Sequence, residues 1–147
     1  MVATVSVLYE TDFAQWLDQT AQLLKERRFD ELDLDNLVEE IEALNRSEKR
    51  EVESRLEVLL MHLLKWHYQP EHQSRSWKST IHEQRRQLLR LLKDSPSLKN
   101  HLAKEFDECY AIVREKAAEE TTIFLENSPE QCPYAIAEVL SPDFLPN

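Results

Sequence analysis

The stretch "EVLLMHLLKWHYQP", residues 57–70, is apolar almost without interruption from Val58 to Leu64, and His62 is the one polar side chain inside that run. A helix that is hydrophobic on every side has to be enclosed by neighbours. The run therefore predicts a central buried helix over about Arg46 to Tyr68, stopped by Pro70, which lacks the N–H needed to continue the ladder. Val52 and Leu56 carry its amphipathic first turns. His62 poses the functional question, because a buried imidazole serves as a metal ligand, as a catalytic base, or as a core residue with one satisfied hydrogen bond.

The rest of the chain fits an all-α protein. It has 147 residues, the size of one ordinary domain, and no glycine, against an average usage of about 7%. Turns that need positive φ then fall to Asn or Asp, or are not made, and phosphate-cradling loops are disfavoured. Leu, Glu, Lys, Arg, Gln and Ala dominate, all strong helix formers. The expected architecture is a compact single-domain bundle of about five to six helices.

Working outward from the central run, apolar periodicity places a helix from about Thr11 to Arg28, with Phe13, Trp16, Leu17, Ala21 and Leu24 along one face. A second starts at an Asp35 cap, with Leu37, Ile41 and Leu44 as its buried stripe. Asn45 followed by Glu48 resembles a capping box, which predicts a break there. Beyond the "PEHQSRS" turn, a helix to about Asp94 buries Trp77, Ile81, Leu88 and Leu92. Ser95 and Pro96 then read as cap and first residue of a long helix, with Leu98, Leu102, Phe106, Cys109, Val113 and Ala117 inside and an end reaching Leu125. A short last helix begins at Pro133, buries Ile136, Val139 and Leu140, and stops before Pro142.

The two cysteines, Cys109 and Cys132, have neither metal-ligand spacing nor the pattern of a disulfide framework, so reduced thiols in a cytoplasmic protein are expected. No apolar run approaches the roughly 18 residues of a membrane span, and the first ten residues lack the basic-then-apolar order of a secretory leader. No membrane association, no metal and no cofactor are expected.

Charge is segregated along the chain. Residues 1–57 carry 7 Lys/Arg against 15 Asp/Glu, residues 58–104 carry 9 against 3, and residues 105–147 carry 2 against 10. All five histidines lie in the basic middle block. Complementary faces of neighbouring helices account for such a split without any partner; the alternative is a basic surface for an anionic partner.

Two constellations follow. Helical phase lines up Arg55, Leu59, His62 and Trp66, and Trp66, Gln69, Arg75, Trp77, Gln84 and Arg85 are expected to gather round the turn between the third and fourth helices. Gln84 falls on the face of Trp77, Ile81 and Leu88, and a buried amide without partners costs about 1 to 3 kcal/mol. The set reads as a hydrogen-bonded network locking the helices, with Arg75 or Arg85 stapling a carboxylate or loop carbonyls, as a binding pocket, or as a catalytic site. Glu40 is the expected hydrogen-bond partner of His62, which burial would keep neutral. Glu39 and Glu42 point away from the buried side, and the Glu-x-x-His motifs of a ferritin-like dimetal site do not occur. The second constellation is the stripe His82, Arg86, Arg90 and Lys93, opposite Trp77 and Leu88.

"LYETDFAQWL", "ELDLDNLVEEIEALNRSEKREVESRLEVLLMHLLKW", "QPEHQSRSWKSTIHEQR" and "CPYAIAEVLSPDFLP" together resemble the bacterial domain-of-unknown-function family 29, widespread in cyanobacteria, over essentially the whole chain. The resemblance implies a compact helical bundle and carries no assigned activity. Asn45 departs from it, standing where the family usually has glycine; asparagine also tolerates the left-handed conformation.

Three functions remain. The first is a non-enzymatic helical interaction module that binds a protein partner or self-associates, docking Glu39 and Glu42 of one copy on Arg86 and Arg90 of another. The second is an RNA-binding protein using the His82–Lys93 stripe, which a sequence pI near 5.0 disfavours. The third is a metal-dependent hydrolase using His62 with Glu40.

Overall fold

The computed structural model describes residues 4–120 and 128–147, and the described residues are all-α. They form α1 (Val5–Thr11), α2 (Phe13–Lys25), α3 (Leu34–Tyr68), α4 (Arg75–Asp94), α5 (Leu98–Glu120) and α6 (Ile136–Leu140), with 3-10 turns at Phe29–Glu31 and Pro70–His72. Residues group into two compact units, Met1–Ser47 and Glu48–Asn147. The expected end of the fifth helix at Leu125 lies outside the described residues.

In the first unit, α1 was not anticipated from the sequence. Thr4 starts it by accepting a hydrogen bond from the Val7 amide, and the Asp12 side chain then accepts from the Gln15 amide to start α2, so each helix opens on a satisfied donor. Trp16 is fully buried, edge-on to Tyr9 at 5.0 Å and stacked on Phe13 at 5.6 Å. The face that α2 buries is Trp16, Thr20 and Leu23, whereas Phe13, Leu17 and Leu24 are exposed. The buried stripe is thus rotated by about one residue from the expected one, with the helical period kept.

α2 ends in a Schellman motif. The Arg28 amide donates to the Leu23 carbonyl and the Arg27 amide to Leu24, which closes the helix on two of its free carbonyls. Arg27 carries the left-handed conformation this needs, at φ 57°. The expectation that only Asn or Asp would take positive φ is corrected by this residue. The paired hydrogen bonds outweigh the steric penalty of about 1 to 2 kcal/mol for a side chain there.

The second correction concerns Asn45. α3 runs without interruption through it for 35 residues, about 52 Å at 1.5 Å per residue. No break occurs, because every residue from Asn45 to Glu48 is compatible with helix and continuing the ladder leaves no backbone donor free.

In the second unit, Leu59, Leu60, Leu63 and Leu64 of α3 pack with Ile81, Leu88 and Leu92 of α4, with Leu102, Phe106, Cys109 and Val113 of α5, and with Val139 of α6. This is the core that the apolar run predicts. The Ser74 side chain caps α4 at the Trp77 amide. α5 begins at Leu98, two residues after the expected Pro96, because Ser95 closes α4 and a tight turn over Ser95–Ser97 intervenes. Glu138 accepts from the Ala135 amide to open α6, which starts at Ile136, three residues after the expected Pro133.

Candidate functional site

His62 is half-buried. Its Nδ1 lies 2.8 Å from the carbonyl of Val58, one turn earlier in the same helix, and Val58 itself is 37% exposed. α3 is therefore enclosed on Val52, Leu56, Leu59, Leu60, Leu63 and Leu64 but not on the side carrying Ser54, Val58 and His62. That corrects the reading of a helix covered all round. Glu40 is also half-buried, but it accepts from the Tyr9 hydroxyl at 2.6 Å. The expected His62–Glu40 hydrogen bond is replaced by two local ones, and the burial argument for a neutral imidazole loses its premise. Among the described residues no group of three His, Cys, Asp or Glu side chains converges to hold a metal.

The set expected round the turn between α3 and α4 separates into three. Trp66 packs half-buried against the core, with its carbonyl accepting from Gln73, and Gln69 and Trp77 are half-buried while Arg75 is exposed. The Lys65 ammonium stands 6.0 Å from the Trp77 ring centre and pairs with Glu120 at 3.2 Å. Gln84 accepts from Arg55 at 3.1 Å, and Arg55 also bonds Glu51. Gln84 and Arg85 sit about 14 Å along α4 from Arg75, since nine or ten residues of helix intervene. A gathering of all six at the turn is excluded by that length.

Arg85 is the strongest polar element. It is 1% exposed and lies on the buried line Ile81–Arg85–Leu88–Leu92. Its guanidinium donates to three carbonyls of the C-terminal segment: Val139 at 2.8 Å, Pro142 at 3.1 Å and Phe144 at 2.9 Å. Burial pulls its pKa down, opposed by Asp143. Five fixed donors and a charge that persists on burial suit arginine to this task. Of the two arginines expected to act as staples, Arg85 is the one that binds main-chain carbonyls, one in α6 and two in the segment after it.

Sequence reasoning missed a second polar cluster. The Tyr134 hydroxyl lies 2.9 Å from His67 Nδ1 and 3.5 Å from the Leu63 carbonyl, and His67 stacks on Tyr68 at 4.3 Å. Burial holds the Tyr134 phenol well above its ordinary pKa. Nearby, a hollow of about 520 Å³ is lined by Phe106, Tyr110, Cys132, Tyr134 and Ile136, with Asp107 and Glu130 among its polar residues. Phe106, Cys132 and Ile136 are expected from sequence as core residues or as a reduced thiol, and none of the residues of the two expected constellations lines the hollow. The only signal was the aromatic in "CPYAIAEVL", which reads as ordinary core. Both cysteines are free thiols, held above their usual pKa by burial.

His82, Arg86, Arg90 and Lys93 are all exposed, as the helical phase of α4 predicts. Arg86 is engaged by Glu83 on its own helix at 2.7 Å.

The largest departure is in the first half of α3. Of the expected buried stripe Leu37, Ile41 and Leu44, the last two are 58% and 68% exposed, as are Leu34 and Val38 beside them at 58% and 50%, although all have the spacing of a buried stripe. Leu37, Glu40 and Ala43 take the more covered line instead. Glu39 and Glu42 are exposed as expected, and Glu39 pairs with Arg46 at 3.0 Å. Nothing in the pattern of apolar residues distinguishes a stripe that covers its own core from one that faces out.

No helix among the described residues is long and apolar enough to cross a membrane. No curated protein and no solved structure matches the chain. The profile described as "Domain of unknown function DUF29" matches residues 8–145, nearly the whole length, and the chain belongs to that family.

Proposed function

We propose that the protein is a helical interaction module whose working surface is the apolar face of the first half of α3. The observation that carries this is the exposure of Leu34, Val38, Ile41 and Leu44, each at least half open to solvent. With a large side chain presenting roughly 150 to 200 Å² when fully exposed, the four open on the order of 400 Å² along one helix. Apolar patches of about 300 to 600 Å² are the largest an ordinary monomer shows and are often functional. A ladder at i, i+4 and i+7 fits a second amphipathic helix, whose own anchors recur at that interval.

The test is the pair of substitutions Ile41→Gln and Leu44→Gln, measured at submicromolar concentration. A docking face contributes little to its own chain, so the unfolding free energy from urea titration should change by less than about 0.5 kcal/mol per site while bis-ANS emission drops. A loss of about 2 kcal/mol or more per site, as for buried leucines, means the face is covered within its own fold and ends this reading.

A second reading keeps the exposed stripe of α4. Arg90 and Lys93 beside Arg86 offer positive charge to an anionic partner such as single-stranded RNA, with the exposed ring of His82 on the same stripe, and Arg86→Glu with Arg90→Glu should then abolish retention and flatten its salt dependence.

A further inference from the structure

We infer that the anion met by the α4 stripe is the acidic side of α3 on a second copy of this chain, with Asp35, Glu39 and Glu42 of one copy docked on Arg86, Arg90 and Lys93 of another. The inference rests on the second reading above and names its partner.

All six side chains are exposed, and they form two faces of the same spacing. Asp35, Glu39 and Glu42 follow one another at four and three residues, and so do Arg86, Arg90 and Lys93. At about 100° per residue each trio falls within roughly 60° of its helix circumference, and at 1.5 Å per residue each spans about 10 Å. Laid parallel, the two helices bring every acid level with a base. Laid antiparallel, the outer pairs stay level and the middle pair is offset by about 1.5 Å, within the reach of such long side chains. By the same helical phase the acidic trio lies on the side of α3 away from the half-buried Leu37, and the basic trio on the side of α4 away from the buried Ile81 and Leu88. Neither face has to be unpacked to meet the other.

The charges are available for this. Among the described residues Asp35, Glu42, Arg90 and Lys93 make no ion pair, while Glu39 bonds Arg46 and Arg86 bonds Glu83 in pairs whose side chains are 46% to 68% exposed. Exposed pairs of that kind contribute little, so exchanging them for pairs between copies loses little. The chain carries 28 acids against 18 bases, and two copies therefore repel at a distance. That repulsion acts over the width of the molecule and is largely screened at about 0.1 M salt, where the Debye length is about 10 Å; ion pairs in contact persist there. Association that is weak, in the high micromolar range, and sensitive to further salt is the expected result.

Sedimentation velocity of the full chain at about 0.1 M salt, up to high micromolar concentration, tests the inference. The parent should associate, and about 1 M salt, where the Debye length is about 3 Å, should weaken that association by more than about tenfold. Glu39→Lys with Glu42→Lys makes both faces basic, and Arg86→Glu with Arg90→Glu makes both acidic. Each variant alone should be monomeric, because like charges then meet. An equimolar mixture of the two should associate again, since each supplies the face the other lacks. Circular dichroism checks that both variants keep their helix content. A mixture that stays monomeric, or single variants that associate as the parent does, overturns the inference. A monomeric parent overturns it as well; if that parent retains a fluorescent oligouridylate, the stripe survives as a surface for an anion, and if it does not, the second reading ends with the inference.

Discussion

The two halves of α3 have the same apolar periodicity and opposite fates. Leu34, Val38, Ile41 and Leu44 are 50% to 68% exposed, whereas Val52, Leu56, Leu59, Leu60, Leu63 and Leu64 are 0% to 1% exposed on the same continuous helix. Spacing explains the helix in both cases and explains burial in neither. What differs is what stands opposite. The second half meets apolar lines on α4, α5 and α6, and the first unit is held by smaller devices: the Thr4 and Asp12 caps, the Tyr9–Glu40 hydrogen bond and the turn at Arg27. One half stabilises the fold by burial, and the other leaves its apolar face exposed.

The sharpest way to break this comparison is to make one deletion in both halves. Leu60→Ala removes buried methyl groups and leaves a cavity, and should lower unfolding free energy by about 2 to 5 kcal/mol. Ile41→Ala, at submicromolar concentration, should stay within about 0.5 kcal/mol of the parent. Urea titrations of the two variants read both values. Equal losses would show that the two halves are equally enclosed in solution.

A second contrast lies in how each half holds a phenol. Tyr9 is pushed up to about 12, first by its hydrogen bond to Glu40. Tyr110 in the second unit is also pushed up to about 12, first by burial, with its hydroxyl donating to the Pro129 carbonyl at 2.6 Å. A phenol whose folded pKa lies above its unfolded value near 10 stabilises the fold fully below that value. The contribution is lost as pH rises through the folded pKa, here between about 10 and 12. Stability should therefore decline across that window. Glu40→Gln removes the carboxylate and should bring one tyrosine, Tyr9, to ionise earlier in an absorbance titration, with Tyr110 unmoved. An unchanged titration would mean that the Tyr9–Glu40 bond is not kept in solution.

The same distinction explains what was legible in the sequence. Helix content, the core lines of α3, α4 and α5 and the outward stripe of α4 follow from composition and period, which are local properties. Arg85 is legible as a buried staple from its place on the face of Ile81 and Leu88, but its three acceptors lie more than fifty residues away, beyond any local pattern. The half-exposed position of His62 is not legible either, because an apolar run on a helix surrounds a residue in sequence without surrounding it in space. The Tyr9–Glu40 hydrogen bond is not legible in the sequence, because α1, which brings Tyr9, is too short to show a period. The Tyr134–His67 contact spans 67 residues and left no trace beyond two ordinary aromatic residues.

The smallest expected effect concerns Arg27, where the first unit relies on a local device at some expense. Its φ of 57° places a β-carbon against the following carbonyl, a strain that glycine does not have. The Schellman bonds it permits, Arg28 to Leu23 and Arg27 to Leu24, are made by backbone groups alone, so they survive any side-chain change. Arg27 is exposed, and the ion pairs at this turn belong to its neighbour Arg28, which engages Glu26 and Glu31. Arg27→Gly should therefore relieve strain without removing a contact. Glycine also gains conformational freedom in the unfolded chain, which offsets part of the gain, and a net stabilisation of about 0.5 to 1 kcal/mol is expected. Thermal melts of the parent and Arg27→Gly decide the matter. A variant that melts earlier would show that the α2 turn is not held in the left-handed conformation, and that the first unit depends on something other than its caps and turns.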